Sequence, residues 1–251
     1  MKMKKSLILS LAFILLAPSL ALADIFTFKG GYFYPQMKSD LWNQEFENMN
    51  YTKKTYEDKI FSLAYEYFIN RQVSFILSVD WYSKGKSGIF KNFVGETIDG
   101  EDYAFDYGEG FEIEHVFSVS IVPIQASLKL MPFRRGGIII PYIGGGLGLY
   151  IWSVRIQGEN VNPNQWEWFY DPNIDADVPG YIIFWANAEE SRISIGYHAF
   201  AGIMLPLVRR VTLDIEAKYH FAEGTLKKSF QGYEPFDLSG FQVYAGLNFW
   251  F

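Results

Sequence analysis

The sequence of 251 residues predicts an all-β fold, a closed antiparallel transmembrane β-barrel of about eight strands. The first observation is strict alternation up to the last residue: positions 241, 243, 245, 247, 249 and 251 are apolar, and the positions between them are polar, small or aromatic. Alternate side chains of a strand lie on opposite faces, so one face of this strand suits lipid. A secretory leader and a regular order of long and short connections are the other two observations.

The leader is a signal peptide by composition. Lys2, Lys4 and Lys5 precede a short apolar run at 7–16, and Ala21 and Ala23 form a small-x-small cleavage site. The pattern predicts a signal peptide at 1–23 and one outer-membrane β-barrel domain at 24–251. No cysteine follows the cleavage site, so we expect no lipid anchor.

Composition supports a barrel. The chain has no cysteine, 19% aromatic residues and 22 glycines. A closed barrel stabilises a secreted chain without disulfides because its strands pair with one another all round, and aromatic girdles account for the ring content. A soluble barrel with the apolar face inside is the alternative. The net charge of -6 argues against a nucleic-acid partner.

Strands are predicted in order along the chain. They cover residues 26–36, 60–69, 72–82, 115–131, 138–156, 193–205, 211–221 and the segment that ends at 251. Long polar segments at 37–59, 83–114, 157–192 and 222–238 alternate with short turns at 70–71, 132–137 and 206–209. This order is typical of an outer-membrane barrel with periplasmic turns and extracellular loops. An extra hairpin in the third long segment would make ten strands.

Three segments carry a family resemblance: PYIGGGLG at 141–148, EAKYHF at 216–221 and LSGF at 238–241. With the terminal aromatic, they resemble the small outer-membrane barrels of the OmpW and OmpA type over most of the mature chain. The resemblance implies the bacterial outer membrane and contact with its lipid and lipopolysaccharide. It also implies that Phe249 and Phe251 are a signal for the barrel-assembly machinery. We expect a monomer with no added peptidoglycan-binding domain.

The alternation places charges on the inner face. The predicted lumen residues are Lys29, Glu66, Asp80, Lys129, His198, Asp214, Glu216, Lys218 and His220. The interior of an eight-stranded barrel is just wide enough to be filled by side chains, and buried charges need partners. The sequence therefore predicts a paired polar plug. A narrow polar path gated by exchangeable ion pairs is the alternative.

The histidines and serines predict neither a metal site nor an enzyme. His198 and His220 have no cluster of further ligands, and we expect no metal or cofactor. His115 and Ser118 are three residues apart and lie on opposite faces of a strand. Ser194 and His198 share a face but are too far apart for a nucleophile and its base. A hydrolase that deacylates lipid A is the alternative.

The long segments have distinct characters. The second is acidic, the third is rich in aromatic residues, and basic residues cluster near the predicted strand tops. The candidates for contact with lipopolysaccharide phosphates are Lys84, Lys86, Arg155, Arg192, Lys227 and Lys228. We expect a structural barrel or a narrow channel for small or hydrophobic solutes. The other hypotheses are a lipid A-modifying enzyme and an adhesin or receptor acting through its loops.

Overall fold

The computed structural model describes residues 25–132 and 138–251. The predicted signal peptide and most of the turn predicted at 132–137 lie outside the described residues. The strands are β1 (Ile25–Pro35), β2 (Asp58–Phe68), β3 (Val73–Ile89), β4 (Val94–Ile98), β5 (Glu101–Phe105), β6 (Glu114–Leu130), β7 (Ile140–Asp171), β8 (Ala176–Val208), β9 (Val211–Gly224), β10 (Phe236–Asp237) and β11 (Gly240–Trp250). One α-helix, α1 (Asp40–Asn48), and two 3₁₀ turns (Lys53–Tyr56 and Lys228–Phe230) complete the described elements.

Eight of the strands form a closed antiparallel ring in the order β1, β2, β3, β6, β7, β8, β9, β11. The ring closes because β11 pairs with β1 along its whole length, from Ile25 opposite Trp250 to Pro35 opposite Gly240. Closure leaves no free edge in the barrel wall. The predicted eight-stranded barrel is therefore confirmed, and a ten-stranded ring is excluded for the described residues.

The outer surface of the ring carries an apolar belt. Its exposed side chains include Phe28, Phe61, Leu77, Leu128, Ile143, Leu147, Leu149, Ile193, Ile195, Phe241, Val243 and Leu247. Ile195 is 75% exposed and Leu147 65%. A belt of large apolar side chains on all sides of a closed ring suits a bilayer rather than water.

The polarity of the two strand faces inverts along β6. Near the short turns, Leu128 and Leu130 lie outside, and Gln125, Ser127 and Lys129 are buried inside. Nearer the long connections, Phe117, Val119 and Ile121 are buried inside, and Ser118 and Ser120 occupy the outer face. The half of the barrel beyond the belt, here called the outer end, is thus built like a soluble barrel with an apolar interior.

At the outer end, several strand boundaries predicted from the sequence are wrong. β3 continues beyond 82 to Ile89, and the segment at 83–114 contains the hairpin of β4 and β5. The segment predicted as a loop at 157–192 is mostly paired strand, because β7 reaches Asp171 and β8 begins at Ala176. The segment at 37–59 contains α1, and the segment at 222–238 contains β10.

A four-stranded sheet projects from the outer end. β5 pairs with β4 and, through Tyr103 opposite Ile182, with the distal part of β8. We call β4, β5, residues 157–171 of β7 and residues 176–187 of β8 the outer sheet. The predicted aromatic segment therefore extends an existing hairpin and adds no strand to the ring.

Helix α1 lies over the mouth of the barrel. Leu41, Trp42 and Glu45 form its buried side, which is the spacing expected for one face of a helix. None of the helices in the described residues is long and apolar enough to cross a membrane.

Candidate functional site: the barrel lumen and the outer sheet

All nine predicted lumen residues point into the barrel, and none is more than 8% exposed. Four ion pairs, made by three lysines, join seven of them. Lys29 Nζ lies 2.6 Å from Glu216 and 3.2 Å from Asp214, Lys129 Nζ lies 2.7 Å from Glu66, and Lys218 Nζ lies 3.0 Å from Asp80. Within the described chain, every acidic member of this set has a lysine partner. We call the nine residues the lumen network.

Two neutral side chains, Tyr142 and Gln125, also contact the lumen network. The sequence pattern did not predict a role for either. The Tyr142 hydroxyl donates to Asp214 at 2.6 Å and lies 3.0 Å from Glu216. Lys218 also donates to the side-chain oxygen of Gln125 at 3.0 Å. Strand alternation predicts that Tyr142 and Gln125 point into the lumen. It does not predict their contacts, which depend on how distant strands are arranged across the lumen.

A glycine makes room for Tyr142. A Cβ at Gly202, opposite Tyr142 on β8, would lie 2.4 Å from the tyrosine hydroxyl. Any larger residue there would displace the hydroxyl from Asp214. Gly202 is therefore part of the packing that positions the lumen network.

The two lumen histidines are direct neighbours in register but have different partners. His198 Nε2 lies 2.7 Å from Ser127 Oγ, while His220 Nε2 lies 2.7 Å from the Leu238 carbonyl oxygen. Among the described residues, no group of three or more acidic or histidine side chains could hold a metal ion. Ser127 and His198 are each 4% exposed, so their contact is buried inside the barrel.

The lumen is tightly filled at the level of the ion pairs. A cavity of about 20 Å³ lies between Lys29, Glu66, Lys129, Glu216 and Lys218. This is room for about one water molecule. The side chains themselves therefore fill this cross-section, as expected for an eight-stranded barrel.

An aromatic cluster fills the lumen above the network, and we call it the outer core. Trp42 of α1 is at its centre, with ring centroids 5.0 Å from Tyr56, 5.1 Å from Phe117 and 5.2 Å from Phe236. The Trp42 indole N–H donates to the Asp237 carbonyl oxygen at 3.2 Å. The helix is thus anchored inside the mouth of the barrel.

A buried polar contact ties α1 to the wall. The Tyr51 hydroxyl donates to Glu45, and His115 Nε2 lies 2.9 Å from the same carboxylate oxygen. Burial, with the Glu45 carboxylate as a second cause, raises the pKa of Tyr51 above its ordinary value. His115, considered in the sequence beside Ser118, therefore serves the cap over the barrel.

The six residues proposed to contact lipopolysaccharide occupy different environments. Lys84 pairs with Asp58, and Arg192 Nε donates to the buried Glu190 at 2.6 Å. Arg155 donates to Asn187 at 3.3 Å, whereas Lys86, Lys227 and Lys228 are exposed. Glu190, Arg192 and Ser194 lie on the same, inward-facing side of β8. Arg192 neutralises Glu190 there. Contact with lipopolysaccharide stays a prediction.

The predicted assembly residues lie at the end of the ring where the short turns are. Phe249 pairs with Phe26 across the closing seam and is 40% exposed on the outer face. Phe251 follows β11 and is 75% exposed. Their recognition by assembly machinery also stays a prediction.

Comparison with known proteins finds similar solved structures. Neisserial surface protein A is 15% identical, with a TM-score of 0.45 over 90% of this chain and 96% of that one. The outer membrane protein OprG from Pseudomonas aeruginosa is 11% identical, with a TM-score of 0.45 over 91% and 96%. The N-terminal barrel domain of Pseudomonas aeruginosa OprF is 9% identical, with a TM-score of 0.40 over 91% and 98%. No protein-family model matches the chain, and no curated protein sequence matches it.

The closed ring, the apolar belt and the short turns at one end are together those of a small bacterial outer-membrane β-barrel. The short turns then lie on the periplasmic side. The outer core and the outer sheet lie on the extracellular side.

Proposed function

We propose that this protein is a non-conducting outer-membrane barrel that acts as a surface-exposed binding protein, of the adhesin or receptor type. The observation that carries the proposal is the filled lumen. A hydrated ion or small solute would have to pass a cross-section whose cavity is about 20 Å³ and then the outer core. The expected narrow channel is the less favoured function on this ground.

The outer sheet supports the second part of the proposal. The ring closes without it, because residues 143–157 of β7 pair with both β6 and β8 in the barrel wall. A long hairpin that is unnecessary for closing the barrel, and that carries exposed aromatic side chains, is suited to contact with another molecule.

Planar-bilayer recording tests closure of the lumen. The wild-type protein should give no discrete conductance steps. The double variant Asp214→Asn/Glu216→Gln, which weakens the network without shortening its side chains, indicates whether the network contributes to closure. Stable steps from the wild-type protein would contradict a non-conducting barrel.

A truncated hairpin tests surface binding. Val161 and Ile183 are directly opposite each other, so Asn-Gly in place of residues 162–182 forms a two-residue hairpin turn. Cells with the wild-type barrel should adhere better than cells with the truncated barrel to at least one of a panel of acidic, neutral and basic protein-coated surfaces. Equal adhesion on every surface would contradict the proposal.

A further inference from the structure

The outer sheet and the segments that flank it are strongly acidic, and the sheet contains no Lys or Arg. Residues 92–128 include eight Asp or Glu residues, residues 157–190 include seven, and neither segment has a Lys or Arg. The acidic residues are Glu96, Asp99, Glu101, Asp102, Asp106, Glu109, Glu112, Glu114, Glu159, Glu167, Asp171, Asp175, Asp177, Glu189 and Glu190. Of these fifteen residues, only Glu190, at the base of the sheet, has an ion-pair partner in the described part of the chain. The sheet therefore repels anions and attracts cations.

An aromatic face lies within this acidic sheet. Trp166, Trp168 and Tyr170 alternate on one side of β7 and are 47%, 60% and 63% exposed. The Trp166 and Trp168 rings are 5.1 Å apart in an edge-to-face arrangement. Phe169, between Trp168 and Tyr170, points to the other side of the strand, where it packs against Tyr103 and Phe105. One side of the strand is thus packed, and the other presents three aromatic rings to solvent.

The same strand is an edge. β6 accompanies β7 only as far as His115 opposite Gly158. Beyond this point, within the described residues, the distal part of β7 pairs with β8 alone. Its other side offers backbone N–H and C=O groups to an added strand.

We propose that the distal part of β7 binds an extended polypeptide segment rich in Lys or Arg. The edge provides backbone pairing for an extended chain, the three rings provide faces for cation–π contact, and the surrounding carboxylates provide charge complementarity. Lipopolysaccharide phosphates and nucleic acids are anionic and are repelled. The inference rests on the proposed function and names the class of partner.

The test uses the full-length barrel in detergent micelles and fluorescence anisotropy of a labelled 12-residue peptide with alternating Lys and Ser. Peptides in which Glu or Leu replaces every Lys are the comparisons. We expect the Lys peptide to bind at least tenfold more tightly than either comparison peptide, and to weaken as salt is raised.

Two variants separate the aromatic face from general acidity. The triple variant Trp166→Ala/Trp168→Ala/Tyr170→Ala should bind the Lys peptide at least tenfold more weakly. Trp185→Ala removes a ring elsewhere on the hairpin that is at least as exposed, at 68%, and should bind within twofold of the wild type. Both variants must show the heat-dependent gel mobility of a folded barrel.

Three results would overturn the inference: unchanged binding by the triple variant, tighter binding of the Leu peptide, or no binding of the Lys peptide to the wild type. These results leave the proposed function standing if truncation of the hairpin still reduces cell adhesion. Equal adhesion by truncated and wild-type cells would refute the proposed function itself.

Discussion

Lys29 Nζ on β1 lies 2.6 Å from Glu216 on β9, although β11 separates the two strands in the wall. Two strand spacings amount to about 10 Å, so the lysine side chain must cross the inner face of β11. It crosses at Gly246, its partner in register. A Cβ at Gly246 would lie 2.8 Å from Lys29 Cγ. The absence of a side chain at this position thus permits the ion pair across the closing seam.

Gly246→Ala should therefore destabilise the barrel. The added methyl group would also lie 2.3 Å from the Phe28 carbonyl oxygen, so the lysine and the seam must both shift. We expect a loss of about 1–3 kcal/mol in the free energy of unfolding, measured by urea titration in micelles. Gly30→Ala is the matched control, because its Cβ would approach only the Phe61 ring, at 3.9 Å. Equal losses in the two variants would refute this role for Gly246.

Removal of Lys218 should cost more than removal of Glu216. Lys218→Met leaves the buried Asp80 without its ion-pair partner, and such a change costs about 3–5 kcal/mol. Glu216→Gln leaves Lys29 paired with Asp214, so the loss should be smaller.

Thermal unfolding in detergent measures this order. The exposed Glu109→Gln is the control and should leave Tm nearly unchanged. Asp80→Asn should recover part of the Tm lost in Lys218→Met, because it removes the unpaired charge. A Tm for Lys218→Met equal to that of Glu109→Gln would argue against a paired plug.

Trp42→Ala should loosen the outer core without opening the lumen. Trp42 is 1% exposed and contacts four other rings, and large-to-small changes at such sites cost about 3–5 kcal/mol. We expect faster proteolysis within residues 36–57 and no conductance steps, because the lumen network lies below the core. Trp185→Ala is the control for loss of an exposed ring. Conductance in Trp42→Ala would show that α1 itself closes the barrel.

The cap formed by α1 should weaken at alkaline pH. The pKa of Tyr51 is raised in the folded protein, whereas an exposed tyrosine titrates near pH 10. The contribution of this neutral phenol is fully present below about pH 10. It falls as pH rises further, by about 1.4 kcal/mol per pH unit for one group.

Tryptophan fluorescence during urea unfolding at pH 8–11, to which the buried Trp42 contributes, follows this change. Tyr51→Phe lacks the titrating phenol and should show a shallower loss of stability above pH 10 than the wild type. Burial also raises the pKa of Tyr56, and this tyrosine is present in both proteins. Identical pH dependence in wild type and Tyr51→Phe would contradict this account.

The spanning half of the barrel was predictable because its periodicity is regular. On β9, Leu213 and Ile215 alternate with Asp214 and Glu216, and this alternation gave the correct inner and outer faces. Beyond the bilayer, solvent replaces lipid and the two faces exchange polarity. Ser118 and Ser120 then lie outside and Phe117 inside. The distal strands lack an apolar outer face, and for this reason the sequence pattern predicted loops there.

Which residues enter the lumen was decided by the sequence, since a two-residue period determines the face on which each side chain lies. Which lysine neutralises which carboxylate was decided by the tertiary structure. Lys29 and Glu216 are 187 positions apart, and they meet only because β11 closes the ring between their strands. The same applies to the outer sheet, whose acidic and aromatic segments are separate in sequence and become one surface when β5 pairs with β8. Periodicity is local information, whereas these contacts depend on how distant strands are arranged around a closed barrel.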